Sequence, residues 1–124
     1  KIDIEQYILN NNISQSPTAS GMYYLPTKVG EGAPAKVGHK VKVHYTGRFL
    51  NGVKFDSSYD RNKPIEFVLG RGNVIAGLDE GISMMKVGGL ATFIIPSYMG
   101  YGAGRDNIPP NTPSILEVKL IDVK

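Results

Sequence analysis

One short amphipathic stretch, residues 70–90, constrains the fold of this chain more than any other feature. Its apolar positions are Ile75, Leu78, Ile82 and Met85. They recur every three or four residues, which places them on one side of an α-helix. The pair Gly88-Gly89 is expected to end this helix in a left-handed cap. Because the chain after residue 20 otherwise reads as strands and loops, the helix should lie across a sheet and close the core.

Alternating apolar and polar residues predict the strands of that sheet. The clearest strand is 39–50, and the Asn51-Gly52 turn signal after it indicates that 53–56 returns antiparallel. The other predicted strands are 22–27, 64–69, 91–96 and 114–123. The expected fold class is therefore α+β, with a twisted antiparallel β-sheet of about five strands wrapped around one short α-helix.

The first 20 residues are predicted to form a separate N-terminal helix and linker, ahead of a folded domain over 21–124. Residues 2–13 read as a helix that Asp3 could cap, and 14–21 read as a linker. Tyr7 and Ile8 are expected to pack against the domain, although this helix could instead mediate a homodimer.

Composition excludes several classes of protein. No window approaches about 18 consecutive apolar residues, so no transmembrane segment is predicted. The absence of cysteine excludes disulfides and thiol nucleophiles. The net charge of +3 is small, and the basic surplus alternates with apolar residues along one strand. This pattern favours a solvated sheet face over a nucleic-acid-binding patch.

The motifs of covalent, metal and phosphate chemistry are also missing. His39 and His44 have opposite parity on one strand and lack acidic neighbours at metal-ligand spacing. The glycine-rich run from Gly70 to Gly77 lacks the third glycine of a dinucleotide-binding loop, and no serine stands in a GxSxG elbow. We therefore predict no metal and no cofactor. What remains is an apolar pocket at one mouth of the core, to which strand ends and loops should bring Tyr45, Phe55, Asp56, Phe67, Val74, Ile75, Tyr101 and Ile108.

Four short motifs carry a family resemblance. They are VHYTG at 43–47, FDSS at 55–58, VIAG at 74–77 and IPPN at 108–111. In this order and spacing, from about Met22 to Lys124, the chain resembles the FKBP-type peptidyl-prolyl cis-trans isomerases. The resemblance implies an enzyme that rotates Xaa-Pro bonds of client proteins and assists folding, and that binds macrolides. A non-catalytic binding or chaperone module of the same fold is the alternative.

The resemblance also implies a site. Tyr45, Phe55, Asp56, Ile75 and Tyr101 would be catalytic, with the Ile75 backbone N–H and the Tyr101 hydroxyl offered to ligand carbonyls. Substrate would be bound by Ile65, Phe67, Val74, Leu78, Ile108 and Leu116. Asp56 would stand at the rim, paired with Arg61 in a contact that could also be an ordinary surface ion pair.

Three residues depart from the commonest pattern of the family. Leu78 stands where many members carry tryptophan, and Ile65 and Leu116 stand where phenylalanine is usual. Activity should survive, whereas macrolide affinity and the preference for the residue before proline are expected to differ. A helix and linker ahead of the domain also resemble exported bacterial members, which favours the cell envelope over the cytoplasm.

Overall fold

The computed structural model describes residues 3–104 and 108–124. The elements in chain order are α1 (Ile4–Asn10), β1 (Tyr23–Lys28), β2 (Lys40–Arg48), β3 (Lys54–Ser57), β4 (Ile65–Val68), α2 (Ala76–Ile82), β5 (Leu90–Ile95) and β6 (Ser114–Val123). Two 3-10 turns, Ser58–Arg61 and Ser97–Met99, lie in the connecting loops. Neither α-helix in the described part of the chain has the length and apolarity that a membrane crossing requires.

The strands form one antiparallel sheet in the order β1-β5-β6-β2-β3, with β4 also paired to β2. β4 pairs with the first half of β2, from Lys40 to Val43, and β3 pairs with the second half, from Thr46 to Arg48. Six strands therefore make a sheet that is five strands wide. The predicted fold class is confirmed, with six strands in place of about five.

α2 lies against the inner face of the sheet at close range. A Cβ atom on Gly81 would stand 2.4 Å from the Phe93 ring, and one on Gly77 would stand 2.6 Å from Ile95. Glycine at these two positions lets the helix backbone approach β5. Leu78 and Ile82 are then buried between helix and sheet, where they complete the main core.

The central helix is shorter than its apolar periodicity predicts. It ends at Ile82, and Ser83 is its C-cap in a right-handed conformation. Met85 lies beyond the helix and is buried in the main core, and its carbonyl accepts a hydrogen bond from Ala35 N–H at 2.9 Å. The expected cap at Gly88-Gly89 was therefore wrong; the positive φ of Gly88 (91°) belongs to a turn after the helix.

α1 packs on the outer face of the sheet. Asp3 caps it by accepting a hydrogen bond from Gln6 N–H at 2.9 Å. Its apolar side chains, Ile4, Tyr7 and Ile8, pack against a second buried cluster, which consists of Leu50, Ile94 and Ile115. Ile13, Tyr23 and Leu25 pack against the same cluster. β5 is consequently covered on both faces, which explains its nearly continuous apolar sequence.

The segment between α1 and β1 is held by side chains. The hydroxyls of Thr18 and Ser20 each donate to a Glu80 carboxylate oxygen at 2.8 Å. The Tyr98 hydroxyl donates to the Ser20 carbonyl at 2.6 Å. This predicted linker is therefore attached to α2 and to the loop after β5.

Candidate active site

A cavity of about 350 Å³ opens between the start of α2 and the adjoining ends of the sheet. Its lining residues are Tyr45, Phe55, Asp56, Ile65, Asn73, Val74, Ile75, Leu78, Tyr101, Ile108 and Leu116. Leu78 and Leu116 are buried at 4% and 1% exposure, so they belong to its floor. Seven of these eleven residues have wholly apolar side chains, two are tyrosines, and Asp56 and Asn73 are polar.

Aromatic rings form one wall of this cavity. The Phe55 ring meets the Tyr101 ring edge-on, with centroids 5.6 Å apart and planes at 86°. Behind it, Phe49 supports Phe55 at a centroid distance of 4.9 Å. A Cβ atom at Gly47 would stand 2.7 Å from the Phe55 ring, so glycine in β2 is what allows that ring to lie across the strand.

Tyr45, Asp56 and Arg61 make a hydrogen-bonded triad at the rim. Arg61 donates from Nη1 to Asp56 Oδ1 at 2.6 Å and from Nη2 to the Tyr45 hydroxyl oxygen at 2.9 Å. The Tyr45 hydroxyl donates to Asp56 Oδ2 in a short hydrogen bond. The 3-10 turn that follows β3 brings Arg61 back to this position.

The family is decided by comparison with known proteins. A family model described as FKBP-type peptidyl-prolyl cis-trans isomerase matches residues 31–121. The chain belongs to this family. The resemblance seen in the sequence motifs is confirmed, and with it the isomerase assignment of the FKBP domain. The alternative, a non-catalytic module, is not favoured.

Curated relatives cover the FKBP domain almost completely. The FK506-binding protein of Neisseria meningitidis serogroup B is 50% identical over 105 residues, which are 83% of this chain and 96% of that protein. The FKBP-type isomerase FkpA of Buchnera aphidicola (subsp. Schizaphis graminum) is 44% identical over 111 residues, which are 88% of this chain and 43% of that protein. The chain therefore spans less than half the length of this FkpA.

Solved FKBP structures share the fold. FkpA from Escherichia coli superposes with a TM-score of 0.87 at 34% identity, covering 97% of this chain and 57% of that one. AtFKBP13 superposes with a TM-score of 0.82 at 36% identity, covering 88% and 98%. The first of these alignments is long enough to include most of α1.

Burial and hydrogen bonding determine the protonation states of the rim triad in the FKBP domain. Burial raises the pKa of the Tyr45 hydroxyl, and the hydrogen bond to Asp56 raises it further. Burial also acts to raise the pKa of Asp56, but the hydrogen bonds from Tyr45 and Arg61 outweigh it, so the pKa of Asp56 is lowered. At neutral pH the triad therefore holds a neutral phenol, a carboxylate and a guanidinium.

A buried serine fixes the backbone beneath the triad. Ser58 is fully buried, and its hydroxyl oxygen accepts a hydrogen bond from Tyr45 N–H at 2.8 Å. The same oxygen lies 2.7 Å from His44 Nδ1, and the His44 ring stacks on Tyr59 with centroids 4.1 Å apart. The other serine of the FDSS motif, Ser57, donates to the Tyr45 carbonyl at 3.3 Å and accepts from Tyr59 N–H at 3.2 Å. Both serines therefore tie the turn that carries Arg61 to β2.

The structure brings the predicted site residues together, with one exception. Phe67 lies on β4 and is buried in the main core at 8% exposure, and it is not among the residues that line the cavity. Asn73 lines the cavity and was missed, because a lone polar residue in a glycine-rich loop carries no signal of its own. The sequence did predict the Asp56–Arg61 pair, but not the bond from Arg61 to Tyr45. The roles of the individual residues stay predictions.

Proposed function

We propose that this domain accelerates cis-trans rotation of Xaa-Pro bonds by desolvating and twisting the amide in the cavity beside Tyr45. The observation that supports this is a single opening that combines apolar walls with a fixed polar edge. A cavity of about 350 Å³ is of the size that accepts small organic groups.

Rotation about a peptide bond is slow because resonance gives the C–N bond double-bond character, with a barrier of about 18–20 kcal/mol. The planar amide is the more polar form, and water stabilises it. The twisted transition state has lost much of that charge separation. Apolar walls therefore destabilise the planar form relative to the twisted form, and the barrier falls.

The polar groups orient the substrate without proton transfer. Ile75 immediately precedes α2, where backbone N–H groups are not used by the helix. We assign it the role of donating to a substrate carbonyl, and the Tyr101 hydroxyl the same role at a second carbonyl. The triad keeps the Tyr45 ring at the cavity wall, because its hydroxyl is held by both Asp56 and Arg61.

The test is a protease-coupled assay on Xaa-Pro peptides. Catalytic amounts of the domain should accelerate the slow phase, and Asp56→Ala and Tyr101→Phe should each reduce kcat/KM about tenfold, equivalent to about 1.4 kcal/mol. Asp60→Ala is the matched control, because Asp60 pairs with Lys54 at 2.9 Å away from the cavity. If the rate of the slow phase does not rise at substoichiometric protein concentrations, the domain binds the peptide without catalysing its isomerisation.

Clients of the proposed enzyme would be proline-containing segments of folding proteins. A macrolide of the FK506 type would compete for the same cavity, since a relative at 50% identity carries the name FK506-binding protein. With Leu78, Ile65 and Leu116 in the lining, the cavity would offer such a ligand fewer aromatic contacts than the usual family pattern.

The cell-envelope location, the role in assisting folding, and dimerisation through α1 stay predictions. In α1, Leu9 is 72% exposed while the opposite side packs on the sheet, so a dimer through this helix would form around Leu9. Sedimentation of the protein and of Leu9→Lys would test the dimer. Cell fractionation would test the location.

A further inference from the structure

A second concavity adjoins the cavity on the side of the turn that carries Arg61. This side groove has a volume of about 580 Å³, and its lining residues are Arg61, Lys63, Pro64, Ile65 and Glu66. Ile65 lines both the cavity and the side groove. A peptide with its proline in the cavity can therefore continue past Ile65 into the side groove.

Two of the three charged side chains of the side groove are already paired. Arg61 is bonded to Asp56 at 2.6 Å, and Glu66 lies 3.4 Å from Lys42. Lys63 is exposed, and no carboxylate in residues 3–104 or 108–124 forms an ion pair with it. The ammonium group of Lys63 is thus the charge that this groove presents to a ligand.

The surroundings strengthen that positive charge. Lys40 also approaches Glu66, at 3.9 Å, so a single carboxylate is shared by two ammonium groups. Among the described residues, cations consequently outnumber anions around the side groove. Such a surplus attracts an anionic partner and repels a cationic one.

We propose that the side groove receives an acidic side chain located two residues before the substrate proline or directly after it, and that Lys63 determines this specificity. The inference rests on the proposed isomerase function and names its substrate class. Two residues of extended chain span about 7 Å, which is sufficient to carry a side chain from the cavity past Ile65 toward Lys63.

The experiment uses two peptide series around a common Ala-Pro pair. One series varies the residue two positions before proline, and the other varies the residue after it, as Glu, Gln or Lys. Isomerisation is measured by NMR exchange spectroscopy, so no coupling protease contributes a charge preference of its own. In at least one series, we expect kcat/KM to be about threefold higher for Glu than for Lys, as befits an exposed ion pair. High salt should abolish the difference, because it screens exposed charges.

Variants of Lys63 assign the effect to that residue. Lys63→Arg should keep the preference for Glu, Lys63→Gln should remove it, and Lys63→Glu should reverse it. The control is Lys119→Glu, which makes the same change in net charge on an outward-facing position of β6. It should leave the ratio of Glu to Lys turnover at the wild-type value.

Failures of the two proposals are distinguishable. Equal turnover of the Glu, Gln and Lys peptides in both series, or a Glu preference that persists in Lys63→Glu, would overturn the acidic subsite alone. No turnover of any peptide would overturn the proposed isomerase function and the subsite with it.

Discussion

Asp56 accepts hydrogen bonds from both Tyr45 and Arg61 at the cavity rim. Its side chain is 36% exposed, so solvent weakens each of these contacts. Sequence motifs predicted the pair with Arg61 five residues away. The bond from Arg61 to Tyr45 depends on how the 3-10 turn folds back over β2, and residue spacing does not encode that.

Stability should depend on the ionisation of Asp56. Its folded-state pKa lies below the ordinary value of 3.8, so its stabilisation is fully present above that value and is lost as pH falls through the folded-state pKa. We expect Asp56→Asn to lower the free energy of unfolding by up to about 1 kcal/mol at neutral pH. The deficit should disappear in strong acid.

Urea denaturation of the wild type and of Asp56→Asn across this pH range measures the effect. Asp60→Asn is the control, because Asp60 is 55% exposed and bonded only to Lys54 among the described residues. A deficit that does not change with pH would show that Asp56 stabilises the fold by packing or neutral hydrogen bonding.

Leu78 places an aliphatic side chain at the cavity floor. Leu78→Trp should tighten macrolide binding several-fold, because a larger flat ring adds contact area and aromatic interactions. Calorimetry measures the affinity, and the same substitution at the exposed Leu90 is the control. Unchanged or weaker binding would mean that the floor residue does not limit affinity.

At the scale of elements, strands were predicted better than helices. A strand with one face in the core has an alternating sequence that reveals both its presence and its orientation. β5 is covered on both faces and was recognised instead by its short, nearly continuous apolar run. The end of α2 is different. Met85 continues the apolar period of the helix although it lies in the turn after it. An apolar residue at this spacing is buried in either position, so the sequence pattern does not show where the helix ends.

Phe67 and Asp79 also show that the position of a residue in an element does not reveal what its side chain contacts. Phe67 was assigned to the cavity mouth because it is near the end of β4, yet it faces the core. Asp79 on α2 looks like an exposed helix residue, but it accepts hydrogen bonds from Gly70 N–H at 2.9 Å and Gly72 N–H at 3.3 Å. It thereby holds the loop that precedes the helix, a role that its sequence position does not reveal.

The close contact of α2 with β5 gives a test at this scale. Gly81→Ala would raise helix propensity by about 1 kcal/mol. We nevertheless expect net destabilisation of about 1–3 kcal/mol from overpacking, because the new methyl would stand 2.4 Å from the Phe93 ring. Adding Phe93→Leu should make the cost of Gly81→Ala smaller, as measured by thermal melts of the four proteins in the cycle. Simple additivity would contradict the proposed contact.

At the scale of the whole molecule, the boundary predicted at residue 20 separates residues that turnover should require from residues that it should not. It does not separate two independently packed units, because α1 packs on the sheet. α1 covers Leu50, Ile94 and Ile115 on the side of the sheet away from the cavity. Sequence periodicity identified α1 as a helix and assigned Tyr7 and Ile8 to packing. It did not show which surface they pack on, because the sequence of a short helix does not indicate which face of a sheet the helix will contact.

Deletion of residues 1–20 should leave peptide turnover intact while lowering the melting temperature, since an apolar sheet face becomes exposed. Deletion of residues 1–13 is the informative comparison. It removes α1 but keeps the Thr18 and Ser20 bonds to Glu80, so its stability should lie between the other two proteins. Lost turnover in a folded deletion variant would place the domain boundary further upstream.

The packing of α1 on the sheet, with the bonds from Thr18 and Ser20 to Glu80 behind it, also fixes the orientation of anything joined ahead of α1. A fluorescent protein fused there through a rigid helix would keep a fixed orientation relative to the sheet, because α1 is packed on it. Replacing Ile4 and Ile8 by serine would release α1 from the sheet, and fluorescence anisotropy would record the faster tumbling of the attached label.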